Sequence, residues 1–525
     1  MTAMAQDTYE NARVLGSDLN GTARYVGMGG ALEALGADIS TISTNPAGIG
    51  LFRHSTINVS IGVVSQQDAT KFDNLSKTNM SFDQAGFVYS TRSGSNSFLN
   101  FAFNYHKSRN FDQLLSAANI MRGASLTKLV WGKSTRESDM NGGYYLDTNS
   151  QHEWMGWRDQ DSDERAYPYT QLDYLYTNAV TMDDVNDRYH INTYMEAGGY
   201  GFNRAHRGWI ADYDFNISGN INDRVYLGLT IGLHDVKYKG YSIYSENILD
   251  VSSTPRGSHQ LNDDRRIDGQ GFDVKGGIIF RPIEESPLRF GISVQSPTWY
   301  DLTSDNYTVL HNLTDKDYYN YGADKYENSE SYKFKYVTPW KFGASVGHTI
   351  GKMLAIGASY EFADYSSSST KAVDGIYDEW SSDRNMDQNT DHVLKGVSTI
   401  KAGVEVKPDP ALAIRLGYNY VTPMYDKEGF RDLTLDSPGN AYASTADYTN
   451  WKATNRITCG IGVKTGDWNI DLAYQYSQTD GKFYPFQSNL TFIDPLDDSI
   501  VMNKGAVTDV SNKRHQVLLT LGLTF

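Results

Sequence analysis

The feature that most limits the fold is a side-chain period of two that recurs along most of the chain. The last stretch, Arg514 to Phe525, reads R-H-Q-V-L-L-T-L-G-L-T-F. His515, Val517, Leu519, Leu521, Leu523 and Phe525 share one face, and Gln516, Leu518, Thr520, Gly522 and Thr524 share the other. A strand turns successive side chains to opposite faces, so this is an apolar wall backed by a small, mostly polar one. A strand of a soluble sandwich alternates in the same way. The decision therefore comes from how often the pattern recurs and from what separates the repeats.

The pattern begins near residue 56 and returns about fourteen times. Ile57, Val59, Ile61 and Val63 alternate with Asn58, Ser60 and Gly62, and Val225 to Leu233 alternate with Tyr226 to His234. Six connections are short turns, near residues 92–96, 220–223, 281–287, 351–352, 407–410 and 465–466. The others are long and rich in Asp, Asn, Ser and Tyr: 65–81, 107–207, 239–266, 298–331, 366–392, 423–453 and 481–512. Short and long alternate without exception. An up-and-down outer-membrane barrel has this rhythm, with short periplasmic turns and long outer loops. A sandwich has no reason to put every long loop at one end. The expected fold is all-β: a 14-stranded antiparallel transmembrane β-barrel over residues 55–525, in the outer membrane of a Gram-negative bacterium and in contact with its lipid.

Composition agrees. The chain has 525 residues, with 63 Asp+Glu against 47 Lys+Arg, which argues against a nucleic-acid partner. The 37 Tyr, 21 Phe and 9 Trp suit strands and the aromatic girdles of a membrane barrel. No apolar run is long enough for a spanning helix, which leaves a barrel open. The one cysteine, Cys459, excludes an intrachain disulfide and falls on an apolar face, where it packs. Lys275, Arg289, Lys401, Glu405, Arg415, Asp471, Asp214 and His234 fall on the other face. They are either a solvated interior network or the grip on a plug.

Residues 6–54 are not strand-like and are too few to hold a core alone. Ala31 to Leu35 reads as a turn or two of helix ended by Gly36, and Asn45-Pro46-Ala47-Gly48 marks tight turns. Before them, Ala3-x-Ala5 is a small-x-small pattern that a signal peptidase cuts, so residues 1–5 read as the end of a leader. In the longest loop, Phe111, Leu114, Leu115, Ala118, Ile120 and Met121 recur at about helical spacing, as do Leu172, Leu175, Tyr176, Ala179 and Val180. Such faces either pack on neighbouring loops or form a greasy collecting surface, which makes Phe111, Leu114, Leu115 and Ala118 candidate ligand contacts. Asp159, Asp161 and Asp163 lack the glycine and terminal Glu of an EF-hand loop, so no metal site is assigned.

The stretch Gly36-Ala37-Asp38 through Asn45-Pro46-Ala47-Gly48, ahead of fourteen strands ending in Phe, resembles the FadL-type outer membrane proteins. These are long-chain fatty acid transporters and relatives such as aromatic-hydrocarbon transporters. The resemblance implies an N-terminal hatch inside the barrel, with Asn45, Pro46, Ala47 and Gly48 as hatch residues. It also implies a hydrophobic pocket, capture of ligand by the outer loops, and exit sideways through a gap in the wall.

No P-loop, GxSxG or HExxH occurs, so neither an enzyme nor a cofactor is expected. The function expected is passive uptake of a hydrophobic small molecule, fatty acid-like or aromatic. Two alternatives stand beside it. One is a non-transporting scaffold or protein-secretion partner that binds outer membrane or secreted proteins through its loops. The other is a polar porin, which an open lumen would reveal.

Overall fold

A computed structural model describes residues 7–135, 144–148, 154–159, 165–167, 170–179, 183–185, 188–190, 194–250, 252–315, 324–374, 379–493 and 499–525. The leader reading of residues 1–5, the aspartates Asp161 and Asp163, and Val180 lie outside them.

Among the described residues nineteen strands share one sheet: Ser369–Asp374 and Glu379–Ser382 add to the edge of Lys325–Val337, and the other seventeen build the wall. In chain order they are β1 (Thr56–Gln66), β2 (Thr78–Arg92), β3 (Phe98–Asn110), β4 (Gln113–Ala124), β5 (Glu196–Ile221), β6 (Val225–Leu249), β7 (Pro255–Phe280), β8 (Arg289–Gln295), β9 (Trp299–Thr314), β10 (Lys325–Val337), β11 (Lys341–Ile350), β12 (Leu354–Asp364), β13 (Gly396–Asp409), β14 (Leu412–Val421), β15 (Tyr448–Thr465), β16 (Trp468–Tyr484) and β17 (Thr508–Thr524). β4 continues β3 along β5, β9 continues β8 along β7, and β10 continues into β11. That leaves fourteen antiparallel staves. β17 pairs with β16 on one side and with β1 on the other, from Thr56↔Thr524 to Gln66↔Arg514, so the sheet closes into a barrel.

The alternation places the side chains as the sequence implies. Val517, Leu521 and Phe525 point out and are exposed, while Leu518 and Thr520 point in and are buried. The same outward apolar face runs around the circle, through Ile231 on β6, Ile356 on β12 and Ile461 on β15. Trp209, Trp299 and Trp340 stand at the long-loop rim and Trp468 at the other. An apolar belt between aromatic girdles is the surface that a transmembrane barrel offers to lipid.

The outer side is a folded cap, and here several expectations are corrected. The segment from Phe111 to Met121 is not a helix: Gln113–Ala124 is the strand β4. Its ladder to β5, Leu115↔Arg204 through Ile120↔Gly199, overrides the local spacing, because pairing with a long neighbour satisfies every second backbone group. The residues 239–266 are not a loop either, since β6 runs through Leu249 and β7 starts at Pro255. Much of 298–331 is the β9–β10 hairpin. Residues 31–35 form turns, and the helical turns lie earlier, at α1 (Thr8–Asn11) and α2 (Ala23–Gly27). The second loop helix is present as α4 (Gln171–Ala179), with Leu172, Leu175, Tyr176 and Ala179 buried. It packs in the cap core with α3 (Leu126–Thr135), Phe202, Phe483 and Phe486.

Inside this cap, Glu246 is completely buried and accepts hydrogen bonds from the Leu126 N–H (2.9 Å) and the Tyr244 hydroxyl (2.8 Å). Burial pushes its carboxyl from 4.5 up to about 7. A raised acid stabilises the fold below the unfolded value and loses that contribution as pH rises through the folded one. The cap is therefore expected to weaken as pH climbs from about 4.5 to about 7, by on the order of 3 kcal/mol. Hydrogen exchange at α3 reads this, and Glu246→Gln should flatten the dependence. For the belt, Leu519→Arg is expected to lower stability by about 2–4 kcal/mol in denaturant titrations on bilayer-embedded protein.

Candidate functional site: the filled bore and its cavity

Residues 7–55 run inside the barrel, and the wall holds their backbone from all sides. The Ala23 N–H donates to Thr520 Oγ1 on β17 (2.7 Å). Thr458 on β15 donates to the Gly27 carbonyl (3.2 Å), and Thr230 on β6 to that of Ile42 (3.0 Å). Ser218 on β5 donates to the Pro46 carbonyl (2.9 Å), and Asn100 on β3 to that of Ile49 (2.7 Å). Inward glycines make this approach possible. A Cβ on Gly357 would lie 2.0 Å from the Ala31 carbonyl oxygen, and one on Gly403 would lie 2.2 Å from that of Met28. Small inner-face residues are thus seats for a second layer of backbone.

The Asn45–Gly48 motif is one such contact. Asn45 Oδ1 accepts the Ala47 N–H (3.2 Å) and opens the 3₁₀ turn Pro46–Leu51. Gly228 on β6 and Gly277 on β7 face Pro46 and Asn45, and an added Cβ would meet them at 2.3 and 2.1 Å. Ala47 and Gly48 are buried. Asn45, Pro46 and Ala47 pack on the wall, Gly48 packs on Thr41 within the segment, and none of the four lines the cavity described below.

The inward charges divide into two groups. Lys401 reaches Glu33 (2.7 Å) and Glu361 (2.5 Å), Glu405 takes Arg24 (3.2 Å) and Arg415 (2.6 Å), and Arg415 takes Asp471 (2.5 Å). Arg289 donates to the Leu35 carbonyl (3.2 Å). These grip the N-terminal segment. Lys275 with Asp214 (2.8 Å) and Asp273 (3.0 Å), and His234 with Asp212 (2.8 Å), join wall to wall. The start of the chain is held from the cap: Arg431 meets Asp7 (2.5 Å), Arg265 meets Glu10, and Tyr9 stacks on Tyr425 with centroids 5.2 Å apart.

A cavity of about 390 Å³ lies beside residues 9–20. Phe111, Tyr238, Tyr300 and Tyr365 supply aromatic faces, and Arg13, Arg109, Arg204, Arg456 and Arg514 supply positive charge. The cavity is therefore less apolar than a hydrophobic pocket. Of the four loop residues singled out from spacing, only Phe111 lines it. Leu114 packs on Leu75 and Ala205, Leu115 joins the cap core, and Ala118 is exposed.

The wall beside this cavity is incomplete. The β2–β3 ladder runs from Arg92↔Phe98 to Gln84↔His106 and stops. Residues 78–83 of β2 then pair only with β1, and residues 107–110 of β3 only with β5. Register shifts at Ser60/Ile61 and at Ile210/Ala211 fall at this level. The N-terminal segment takes the place of the missing partner. The Asp18 N–H donates to the Ser108 carbonyl (2.7 Å), and the Asn110 N–H donates to Asp18 Oδ2 (2.9 Å). Asn20 Nδ2 donates to the Lys107 carbonyl and to Asp83 Oδ1, both at 3.0 Å. Asp83, His106 and Ser108 also line the cavity. Spacing alone did not single out Asp18, Asn20, Arg13 or Arg109. The signal available was the run Lys107-Ser108-Arg109-Asn110, where β3 loses its apolar alternation.

No family model matches the chain, and no curated protein matches it. Among solved structures it is similar to a FadL homologue of Pseudomonas aeruginosa, at 11% identity and a TM-score of 0.49, over 97% of this chain and 99% of that one. The toluene transporter TbuX of Ralstonia pickettii is similar at 12% identity and a TM-score of 0.46, over 97% and 99%. The toluene transporter TodX of P. putida is similar at 11% and 0.46, over the same shares. At such identities the likeness is one of fold at most, and the functional reading rests on the bore and the wall.

Asp18→Ala is expected to unprotect the Asn110 amide in hydrogen exchange by roughly 1.5–3 kcal/mol, the range for a bond to a charged group. Amides of the β1–β17 seam should not change.

Proposed function

We propose that the protein takes up hydrophobic small molecules passively across the outer membrane, with residues 7–55 as a hatch. The observation that carries this reading is the stretch between β2 and β3 with no backbone ladder, which adjoins the cavity and is bridged by Asp18, Asn20 and a Lys107–Ser81 side-chain bond. A polar porin would need an open lumen, and here the bore is occupied.

A ligand captured at the cap enters the cavity beside residues 9–20. Asn45 to Gly48, seated on Gly228 and Gly277, form the fixed end of the hatch. Residues 18–20 form its moving part, because they are held by a few hydrogen bonds and not by a ladder. Their displacement frees the edges of β2 and β3 and opens a path sideways into the bilayer. The drive is partition, about 0.8 kcal/mol for each CH₂ that leaves water, so no nucleotide is needed.

A second reading, a scaffold that binds proteins through the cap, draws on apolar side chains exposed there. Ile120 and Ile500 are 74% and 72% exposed.

Uptake of radiolabelled laurate and of radiolabelled toluene by cells with and without the protein tests the proposal. At least one should enter faster when the protein is present. In a Cys459→Ser background, pairing Asp18→Cys with Ser108→Cys, whose backbones already meet at 2.7 Å, should tether the moving residues to β3, abolish uptake on oxidation and restore it on reduction. Uptake of neither compound, or uptake untouched by the tether, would overturn the transport reading and favour the scaffold.

A further inference from the structure

Around Tyr238 the cavity gathers more positive charge than the protein neutralises. Arg13 Nη1 donates to the Tyr238 hydroxyl (2.9 Å), and its guanidinium lies 5.1 Å from the ring centroid. Phe111 meets the same ring edge-on at 5.3 Å, and Arg109 lies over Phe111 at 5.8 Å. His206 packs on Tyr238 at 5.2 Å from another side, with Arg204 two residues before it on β5. Among the described residues, Arg204 has Asp447 at 2.7 Å, but no carboxylate comes within 4 Å of Arg13 or Arg109. Arg204 Nε and His206 Nε2 are buried with no hydrogen-bond partner.

Arg204, His206 and Tyr238 lie beyond Trp209, outside the belt, and Arg109 pairs with Ile210 at its edge. Burial and the guanidiniums of Arg204, Arg13 and Arg109 push the His206 imidazole well below its usual range. The ring stays neutral, first because it is buried and then because the guanidiniums around it are positive. Clustered buried cations with idle donors are stabilised by an anion between them, and guanidinium forks suit oxyanions of planar or tetrahedral shape.

We infer that this cluster is a subsite for a doubly charged head group of the phosphate-monoester class. Arg13 and Arg109 supply two charges with no carboxylate in ion-pair contact among the described residues, Arg204 Nε and His206 Nε2 supply further donors, and Phe111 and Tyr238 flank the adjoining apolar body. A carboxylate would neutralise one of the two free guanidiniums, whereas a phosphate monoester at neutral pH carries close to two charges. The inference deepens the transport reading, since it names the class of ligand that the cavity holds. The binding site itself does not require that anything be transported.

Calorimetric titration of the full chain in non-ionic detergent tests this with three probes of one chain length: hexyl phosphate, hexyl sulfate and hexanoate. Hexyl phosphate should bind at least about tenfold tighter than the two monoanions, and Arg13→Gln and Arg109→Gln should each remove about tenfold of that affinity. Arg109→Lys, which keeps the charge and loses the fork, should fall between. Equal affinities, a preference for hexanoate, or full affinity in a folded Arg109→Gln would overturn the inference. Should the variants fail to fold, the ranking of the three probes on the unaltered chain decides alone. Because binding is read without a membrane, lost uptake with retained binding would sink transport and leave this subsite standing.

Discussion

Hydrocarbon offers no hydrogen-bond partner, so every backbone N–H and C=O at membrane depth must find one within the protein. That constraint explains the β1–β17 seam, which joins the first and last strands over eleven registered positions from Thr56↔Thr524 to Gln66↔Arg514. It also gives meaning to the interval where β2 and β3 part. Between β2 and β3 the groups freed at Lys107, Ser108 and Asn110 are satisfied by Asp18 and Asn20. The wall is closed there by a segment that is not a strand and has no ladder of its own.

What fixes that segment is a match between backbone and glycine. Gly357, Gly403 and Gly417 sit on adjacent staves, and each leaves room for a carbonyl or amide of residues 28–31 where a Cβ would collide. Buried ion pairs act at the same level. Glu33 pairs with Lys401 and Arg24 with Glu405, so withdrawing the segment breaks two buried ion pairs. Removing one member of a buried pair costs about 3–5 kcal/mol, so residues 22–36 are an anchor. Residues 15–20 have no comparable ion-pair clamp. Asp18 approaches Arg456 only at 3.8 Å and Arg514 at 4.0 Å.

The barrel was legible because membrane strands obey a rule of period two that hides nothing: Val517, Leu521 and Phe525 face out as counted, and each short turn lies where the apolar runs approach one another. Where a strand leaves the membrane the rule lapses. β6 and β7 continue past the belt through Lys237, Lys239, Asp264 and Asp268, whose polar alternation reads as loop. β4 was hidden by the adjacent Leu114 and Leu115, which point to different neighbours and mimic a helical stripe. Inward charge could be counted from the sequence, but whether Lys401 grips the plug and Lys275 grips the wall depends on partners hundreds of residues away in one case and tens in the other. The cavity escaped for the same reason. Arg13, Arg109 and Arg204 come from three separate segments and meet only around Tyr238.

Arg109 belongs to both halves of the site. Its guanidinium faces the cation cluster, yet Nη1 also donates to the Leu15 carbonyl at 2.6 Å, three residues before Asp18. An oxyanion that binds Arg109 competes with that carbonyl for the same fork of donors, and a charged acceptor outbids a neutral one roughly twofold in strength. Occupancy of the cavity and retention of residues 15–20 against β3 therefore draw on one side chain. Under the proposed reading, a ligand need not push the closing segment aside, since it has only to take the arginine that helps hold it.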